Sequence, residues 1–596
     1  MSVRKRTIVA ALATAVVATS LIVPATAASA QNTVQPAPTT MPIQLLALND
    51  FHGNLEPPQG SSGNITRINP DGTTSTILAG GVEYLATQLK NARVDNPNSL
   101  TVAAGDLIGA TPLLSAGFHD EPTIEAMNKI GLDVSSVGNH EFDEGWKELL
   151  RMQKGGCHPV DGCYDPANPF QGADFPFLAA NVVHDRSQLP ILPPIWLEYV
   201  NGAIIGFIGM TLEGTPNIVT AAGIQGITFK DEVETANKYA KLFKLVGVNA
   251  IVTLIHEGGI PANGAYNNNC NTPTPGAGVS GPIVDIAKNL DPAIDVIVSG
   301  HTHAPYVCSI DDPAGQPRLV TSASSFGRLF TEIKGDYNKA TRDFVRASMT
   351  AQNRVVTRDV PKDAELTALV DKYRVAIAPI ANRVIGHIGA TITRTPPVPA
   401  TGESALGDLI ADAQLASTSS ATTGAAVVAF MNPGGIRTDL AYPSSAVGEG
   451  DGVVTYGEAF AVQPFNNVLT TMTLTGAQIV TLLQQQYSGP NLAAPKVLQV
   501  SQGFAYSVNP AATGAAKIVV DSITINGVAL DPAASYRVTV NNFLAGGGDG
   551  FSVLISGTNL LVGDLDIDSF EDYLTANSSP STPYPVPAAN RISVAS

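Results

Sequence analysis

Five short polar motifs carry most of the chemistry in this chain, and each directly follows an apolar run. They read Asp50-Phe51-His52, Gly105-Asp106, Gly138-Asn139-His140-Glu141, His256-Glu257 and Gly300-His301-Thr302-His303. Five of the nine histidines in the 596 residues fall inside them, together with two aspartates and an asparagine. Imidazole nitrogens mixed with carboxylate and amide oxygens are a donor set for a pair of divalent metal ions. The mixture suits Zn, Mn, Fe or Co better than Mg, which prefers oxygen alone, and it does not choose among the four.

The elements that must position these motifs are short strands. Apolar runs at 43–48, 100–104, 134–137, 177–180, 203–209, 250–255 and 294–299 alternate with helical patterns at 82–93, 123–130 and 232–246. That alternation predicts a layered α/β domain. Five of the seven runs lead straight into a motif, so residues distant in sequence are expected to converge on one rim at the carboxyl ends of the strands. The stretch 264–281, rich in Asn, Gly and Pro, reads as a surface loop. Residues 363–377 read as one amphipathic helix, with Leu366, Leu369, Val370 and Tyr373 on a face, joining two domains. Beyond Pro396-Pro397-Val398-Pro399 a second α/β unit follows, with helices at 405–416 and 476–486 and strands at 425–430, 517–525 and 536–540.

Bulk properties narrow the function. The length exceeds what one core usually supports, so two domains of roughly 200 to 300 residues are expected. Arg4-Lys5-Arg6, the apolar run 8–23 and Ala28-Ser29-Ala30 have the three parts of a secretory signal peptide, so residues 1–30 are expected to be removed on export. The mature protein is then expected to be secreted or wall-associated, with no membrane span. Loss of the three basic residues takes the formal charge from −17 to −20. Such a surface argues against a polynucleotide groove, which needs clustered Lys and Arg. Four cysteines in an exported chain read as two disulfides, with a thiolate zinc site as the rival. Proximity favours pairing Cys157 with Cys163 and Cys270 with Cys308, which sequence does not settle.

The text Asn49-Asp50-Phe51-His52-Gly53, Gly105-Asp106, Gly138-Asn139-His140-Glu141-Phe142-Asp143, His256 and Gly300-His301-Thr302-His303 resembles the secreted 5′-nucleotidase and UDP-sugar hydrolase family of metallophosphoesterases. The resemblance covers roughly residues 41–590 and implies a four-layer α/β/β/α metallophosphoesterase sandwich over 41–355. A linker helix at 361–385 would join it to a C-terminal α/β substrate-binding domain over 386–590. It also implies two metals: one on Asp50, His52, Asp106 and His303, the other on Asp106, Asn139, His256 and His301. A carboxylate shared by two cations lets them approach and lowers the pKa of a shared water, and neutral Asn139 adds a ligand without cancelling charge. His140 is expected to protonate the leaving alkoxide, with Asp143 orienting its ring. Glu141 and Glu257 read as acceptors supporting the ligands, and His119, His158, His184 and His387 as surface or core residues.

In the second half, Asn432-Pro433-Gly434-Gly435-Ile436-Arg437, Gln463-Pro464-Phe465-Asn466-Asn467 and 542–551 look like the C-terminal domain of the same family. Carried over residue by residue, Phe465 and Phe543 would sandwich the base, Asp549 would hold ribose hydroxyls, and Asn432 and Arg437 would bind phosphate. A further family arginine is missing from 399–403, and Arg394 is its upstream candidate. Stacking is tolerant of base identity, so broad nucleotide specificity is expected. The leading expectation is an exported, di-metal 5′-nucleotidase with a hinge in the linker. The alternatives are a 2′,3′-cyclic phosphodiesterase and 3′-nucleotidase, a UDP-sugar hydrolase, or a surface-binding protein with an idle metal site.

Overall fold

From Ile43 the strand Thr40–Leu48 is buried on both faces, which is why it reads as an apolar run with Gln44 as its one polar residue. In the computed structural model, which describes residues 39–595 apart from 59, 220, 268–269, 271–277 and 445–448, this strand lies at the centre of a mixed sheet. The expected signal peptide lies outside the described residues, as does part of the 264–281 loop. The 40–48 strand pairs in parallel with Ser99–Ala104, which pairs with Val134–Ser136 and then with Phe177–Leu178. Its other edge runs antiparallel to Leu329–Asn338, itself flanked by Thr350–Val355.

A second sheet has Ile251–His256 at its middle, parallel to Ala203–Thr211 and to Val296–Ser299, with Pro317–Ala323 beyond. Antiparallel strands Ile195–Val200 and Pro305–Asp311 close its edges. The two sheets pack face to face. Ile43, Leu45 and Ala47 meet Phe207, Val252 and Leu254 in one buried cluster. On the outer side of the first sheet, Leu46 and Leu48 join Leu85, Leu89 and Met127 from helices Val82–Val94 and Glu121–Ile130. On the outer side of the second, Ile251 and Ile255 join Tyr239, Phe243 and Ile283 from helices Glu232–Leu245 and Pro282–Asn289. Helix, sheet, sheet and helix therefore form four layers.

One buried charge secures the second sheet. Arg318, 0% exposed, donates from Nε to the Ile294 carbonyl at 2.7 Å and from its Nη atoms to Ala287 and Asp291 at 2.7 Å and Leu290 at 3.3 Å. It thereby satisfies carbonyls at the carboxyl end of the 282–289 helix. Arg318→Leu strands these acceptors, and a loss of at least about 3 kcal/mol is expected from the urea midpoint.

Helix Ala364–Ala381 starts on Asp363, whose side chain accepts from the amides of Glu365 (3.1 Å) and Leu366 (3.2 Å). Its face of Leu366, Leu369, Val370, Tyr373 and Ile377 is buried in one cluster with Met127 of the first half and Leu406 and Phe460 of the second. Both halves lie within the single unit Thr40–Ser596. The second half holds a five-stranded sheet ordered Gln499–Val500, Val428–Met431, Ser535–Asn541, Val468–Thr475, Thr558–Leu565. Helices Ala405–Thr418 and Gly476–Gln485 pack on it. The expected 177–180 strand is two residues long, and the 425–430 strand begins at Val428. Both disulfides, Cys157–Cys163 and Cys270–Cys308, are present, so the cysteines hold no thiolate zinc site.

Candidate active site

The five motifs meet on one rim. Asp50 and His52 follow the 40–48 strand, Asp106 the 99–104 strand, and Asn139 and His140 the 134–136 strand. His256 ends the 251–256 strand, and His301 and His303 follow 296–299. Asp50, His52, Asp106, Asn139 and His256 are each at most 2% exposed. Asp50, His52, Asp106, His301 and His303 all have left-handed backbone, with φ from 46° to 69°. Five non-glycine residues in that costly region within one cleft mark strain held for a site. Two glycines make room for it: a Cβ on Gly138 would stand 2.2 Å from Asp106 Oδ1, and one on Gly105 2.4 Å from the Gly138 nitrogen.

The donors fall into two overlapping groups. His303 Nε2 lies 3.1 Å from His52 Nε2 and 3.3 Å from Asp50 Oδ1, and His52 Nε2 lies 3.6 Å from Asp106 Oδ2. On the other side His256 Nε2 lies 2.9 Å from the same Asp106 oxygen, and His301 Nδ1 is 3.0 Å from Asn139 Oδ1. The rear nitrogens are engaged: His52 Nδ1 faces the Gly109 carbonyl and His256 Nδ1 the Ala104 carbonyl, both at 2.7 Å. Those bonds put the proton on Nδ1 and turn a lone pair at Nε2 into the cleft. The buried Nε2 of His256 then has no hydrogen-bond partner although a carboxylate oxygen stands beside it. Two electron-rich atoms facing each other at that distance call for a cation between them, so the residues fit divalent metals.

Electrostatics agrees. Burial pushes His52 well below its ordinary value and His301 down to about 3, which keeps both neutral. Burial opposes the charge on Asp106, yet His256 and His140 hold it well below the carboxylate range. His256 is raised to about 10 against burial by Asp106 and Asp50, a proton standing where positive charge is wanted.

Beside the donors, His140 Nδ1 lies 2.7 Å from Asp143 Oδ2 and its main-chain N–H donates to Asp106 Oδ1 at 2.9 Å. Burial disfavours its charged form, but Asp143 and Asp106 raise it above the ordinary histidine value. Phe465 of the second half stacks on His140, with centroids 5.7 Å apart and planes at 24°. Arg437 lies 5.8 Å from the Phe465 ring, and Arg394 Nη1 donates to the Ile436 carbonyl at 2.9 Å. Asn432 donates to Asp549 Oδ2 at 2.9 Å and accepts from Asn541 at 3.0 Å, so its amide faces Asp549. Phe543 covers Gly548, where a Cβ would meet the ring at 2.5 Å.

Some contacts escaped sequence reading. Glu141 accepts from the amides of Asp106 (2.9 Å), Leu107 (2.8 Å) and Gly138, tying two motifs together. Its reading as a supporting acceptor had no stated target. Phe326 lies edge-on to His52 and His303, at 5.9 and 5.4 Å, and Lys496 pairs with Asp549. Neither sits in a motif. An adjacent Asn49, whose Nδ2 donates to Asp50 Oδ2 at 2.6 Å, was visible as part of the first motif.

A four-layer sandwich with imidazole and carboxylate donors at its strand ends defines a metal-dependent phosphoester hydrolase. Residues 43–305 match the calcineurin-like phosphoesterase family and residues 384–555 the 5′-nucleotidase C-terminal domain. The chain is 35% identical over 562 residues to the cell wall protein Lmo0130 of Listeria monocytogenes, covering 91% of this chain and 68% of that protein. It is 31% identical to the endonuclease YhcR of Bacillus subtilis, covering 91% of this chain but 40% of that protein. The 5′-nucleotidase precursor of Thermus thermophilus superposes with a TM-score of 0.72 at 25% identity, covering 93% of this chain and 99% of that one. The chain belongs to the 5′-nucleotidase family of metallophosphoesterases.

Proposed function

We propose that this chain is an exported enzyme that releases phosphate from nucleoside 5′-monophosphates. The observation that carries the reading is the contact of Phe465 with His140, which brings the second half's aromatic ring to the histidine beside the metal donors. Asp50, His52, Asp106 and His303 would hold one divalent ion, and Asp106, Asn139, His256 and His301 the other. When bound, the pair supplies a water of lowered pKa and neutralises phosphoryl charge.

The chain's own groups do the rest. His140, with Nδ1 on Asp143, presents Nε2 to the departing nucleoside oxygen and gives it a proton. Arg437, with Arg394 beside it, takes the phosphoryl charge. Asp549 accepts ribose hydroxyls, with Lys496 holding its carboxylate in place, and Asn432, which gives one amide N–H to Asp549, offers the other to phosphate beside Arg437. Phe465 and Phe543 stack the base without reading its edges. We divide the chain at 41–355, 361–385 and 386–590, with residues 1–30 removed on export. The name of the Listeria relative supports a wall or extracellular location. Among the described residues no helix is long and apolar enough to cross a membrane. The endonuclease relative raises a polynucleotide substrate, but a net charge of −17 opposes it.

Turnover of AMP, 3′-AMP, 2′,3′-cyclic AMP and UDP-glucose, followed as loss of each substrate by chromatography, tests the assignment, with AMP expected fastest. Preference for the cyclic nucleotide or the sugar nucleotide would move the assignment to that activity. Phe465→Ala is expected to lower kcat/KM for AMP roughly 10- to 100-fold, the worth of stacking one base, while p-nitrophenyl phosphate is cleaved as before.

A further inference from the structure

Away from the catalytic rim, two histidines and three carboxylates meet on the surface where the Cys157–Cys163 disulfide closes a small loop. His119 is held in left-handed backbone at φ 51°. Its Nδ1 lies 2.8 Å from Glu144 Oε2 and its Nε2 2.9 Å from Asp161 Oδ2. The His158 ring stacks on it, with centroids 3.7 Å apart and planes at 15°, and His158 Nδ1 lies 3.2 Å from the same Asp161 oxygen. Glu148, in the first turn of helix Trp146–Lys154, forms an overlapping group with Glu144 and His158.

With both rings neutral, Glu144 and Asp161 face two imidazoles, while Glu148 is already paired with Arg151 at 2.7 Å. A proton meets part of the demand: the hydrogen bond to Glu144, against the pull of burial, raises His119 to about 9. It serves one ring; His158 Nδ1 accepts the Asp161 main-chain N–H at 3.1 Å and lies 3.2 Å from the same carboxylate oxygen. Two nitrogens and a carboxylate oxygen are a borderline donor set. Ligands about 2.0–2.1 Å from a tetrahedral zinc stand about 3.3 Å apart. The two Asp161 spacings of 2.9 and 3.2 Å are close to that.

We propose that His119, His158 and Asp161, backed by Glu144, form a further divalent-metal site, separate from the catalytic pair and suited to zinc, copper or nickel. A metal lies in the plane of each imidazole it binds, so filling the site turns the His158 ring out of the stack. Occupancy joins the disulfide loop to two segments that reach the catalytic rim. Glu144 directly follows Asp143, and Asp120, beside His119, accepts from the amide of Gly109, whose carbonyl holds His52. The site does not depend on which substrate the enzyme cleaves.

The test counts total metal per chain in the mature protein after manganese loading, zinc addition and gel filtration. Asp161→Asn and the His119→Gln/His158→Gln double variant run alongside, and circular dichroism checks folding. Wild type is expected to retain one more equivalent than either variant at micromolar zinc, and zinc to raise its Tm by about 2 °C or more. Equal metal content in wild type and the folded variants would overturn the proposal and leave the proton as the cluster's occupant. Because the readout is a difference between proteins, it is independent of how many ions the catalytic rim holds.

Discussion

Replacing Asp106 with alanine is expected to lower kcat/KM for AMP at least about 10³-fold and to deplete bound metal at both catalytic positions. Its Oδ2 atom faces His52 at 3.6 Å and His256 at 2.9 Å and so reaches both donor groups, whereas Asp50 Oδ1, 3.3 Å from His303, stands farther from His256 at 3.8 Å. Asp106 Oδ1 also fixes the His140 amide. His303 serves one group, so His303→Ala is expected to lose less metal than Asp106→Ala. Elemental analysis of the two variants, after identical loading, distinguishes a shared carboxylate from an ordinary ligand. Equal loss in both would remove the bridging role from Asp106.

His140→Ala is expected to lower kcat for AMP by about 10²- to 10⁴-fold with metal content unchanged. The loss should depend on the leaving group. A nucleoside alkoxide needs a proton as it departs, whereas p-nitrophenolate leaves without one. Turnover of p-nitrophenyl phosphate should therefore fall much less than turnover of AMP. Asp143→Asn, which keeps the shape but weakens the 2.7 Å contact to His140 Nδ1, should show the same leaving-group bias in milder form. Equal losses on both substrates would point to His140 supporting the rim, through its main-chain bond to Asp106, and not to proton transfer.

The rim was legible because its strands are buried on both faces. An apolar run such as 43–48 or 250–255 ends abruptly where the backbone leaves the core, and the polar residue after it is conspicuous. The antiparallel strands were not legible for the converse reason. Thr350–Val355 is half exposed and carries Gln, Asn and Arg, and Glu198 interrupts the half-exposed Ile195–Val200, so neither makes an unbroken apolar run. Their pairing depends on the register of Ala203–Thr211 and Leu329–Asn338, a tertiary fact. The joining helix was readable as amphipathic from Leu366 to Tyr373, but not its burial in a cluster drawn from both halves.

Within the site, the residues that meet on the rim were readable and their geometry was not. Left-handed backbone at Asp50, His52, Asp106, His301 and His303 carries no sequence mark, because none is glycine. Glu141 could be named as a supporting acceptor from its place beside His140, yet its targets at Asp106 and Leu107 are 35 and 34 residues away. His119 and His158 look like stray surface histidines in sequence. Their stacking requires the disulfide loop to fold back onto the turn at 119.

Anomalous diffraction from crystals of the mature protein grown with manganese tests the central claim most directly. The account predicts two peaks in the catalytic cleft roughly 3.5–4 Å apart, with Asp106 between them. One set should comprise Asp50, His52 and His303, and the other Asn139, His256 and His301. A single peak there, or two that do not share Asp106, would contradict it.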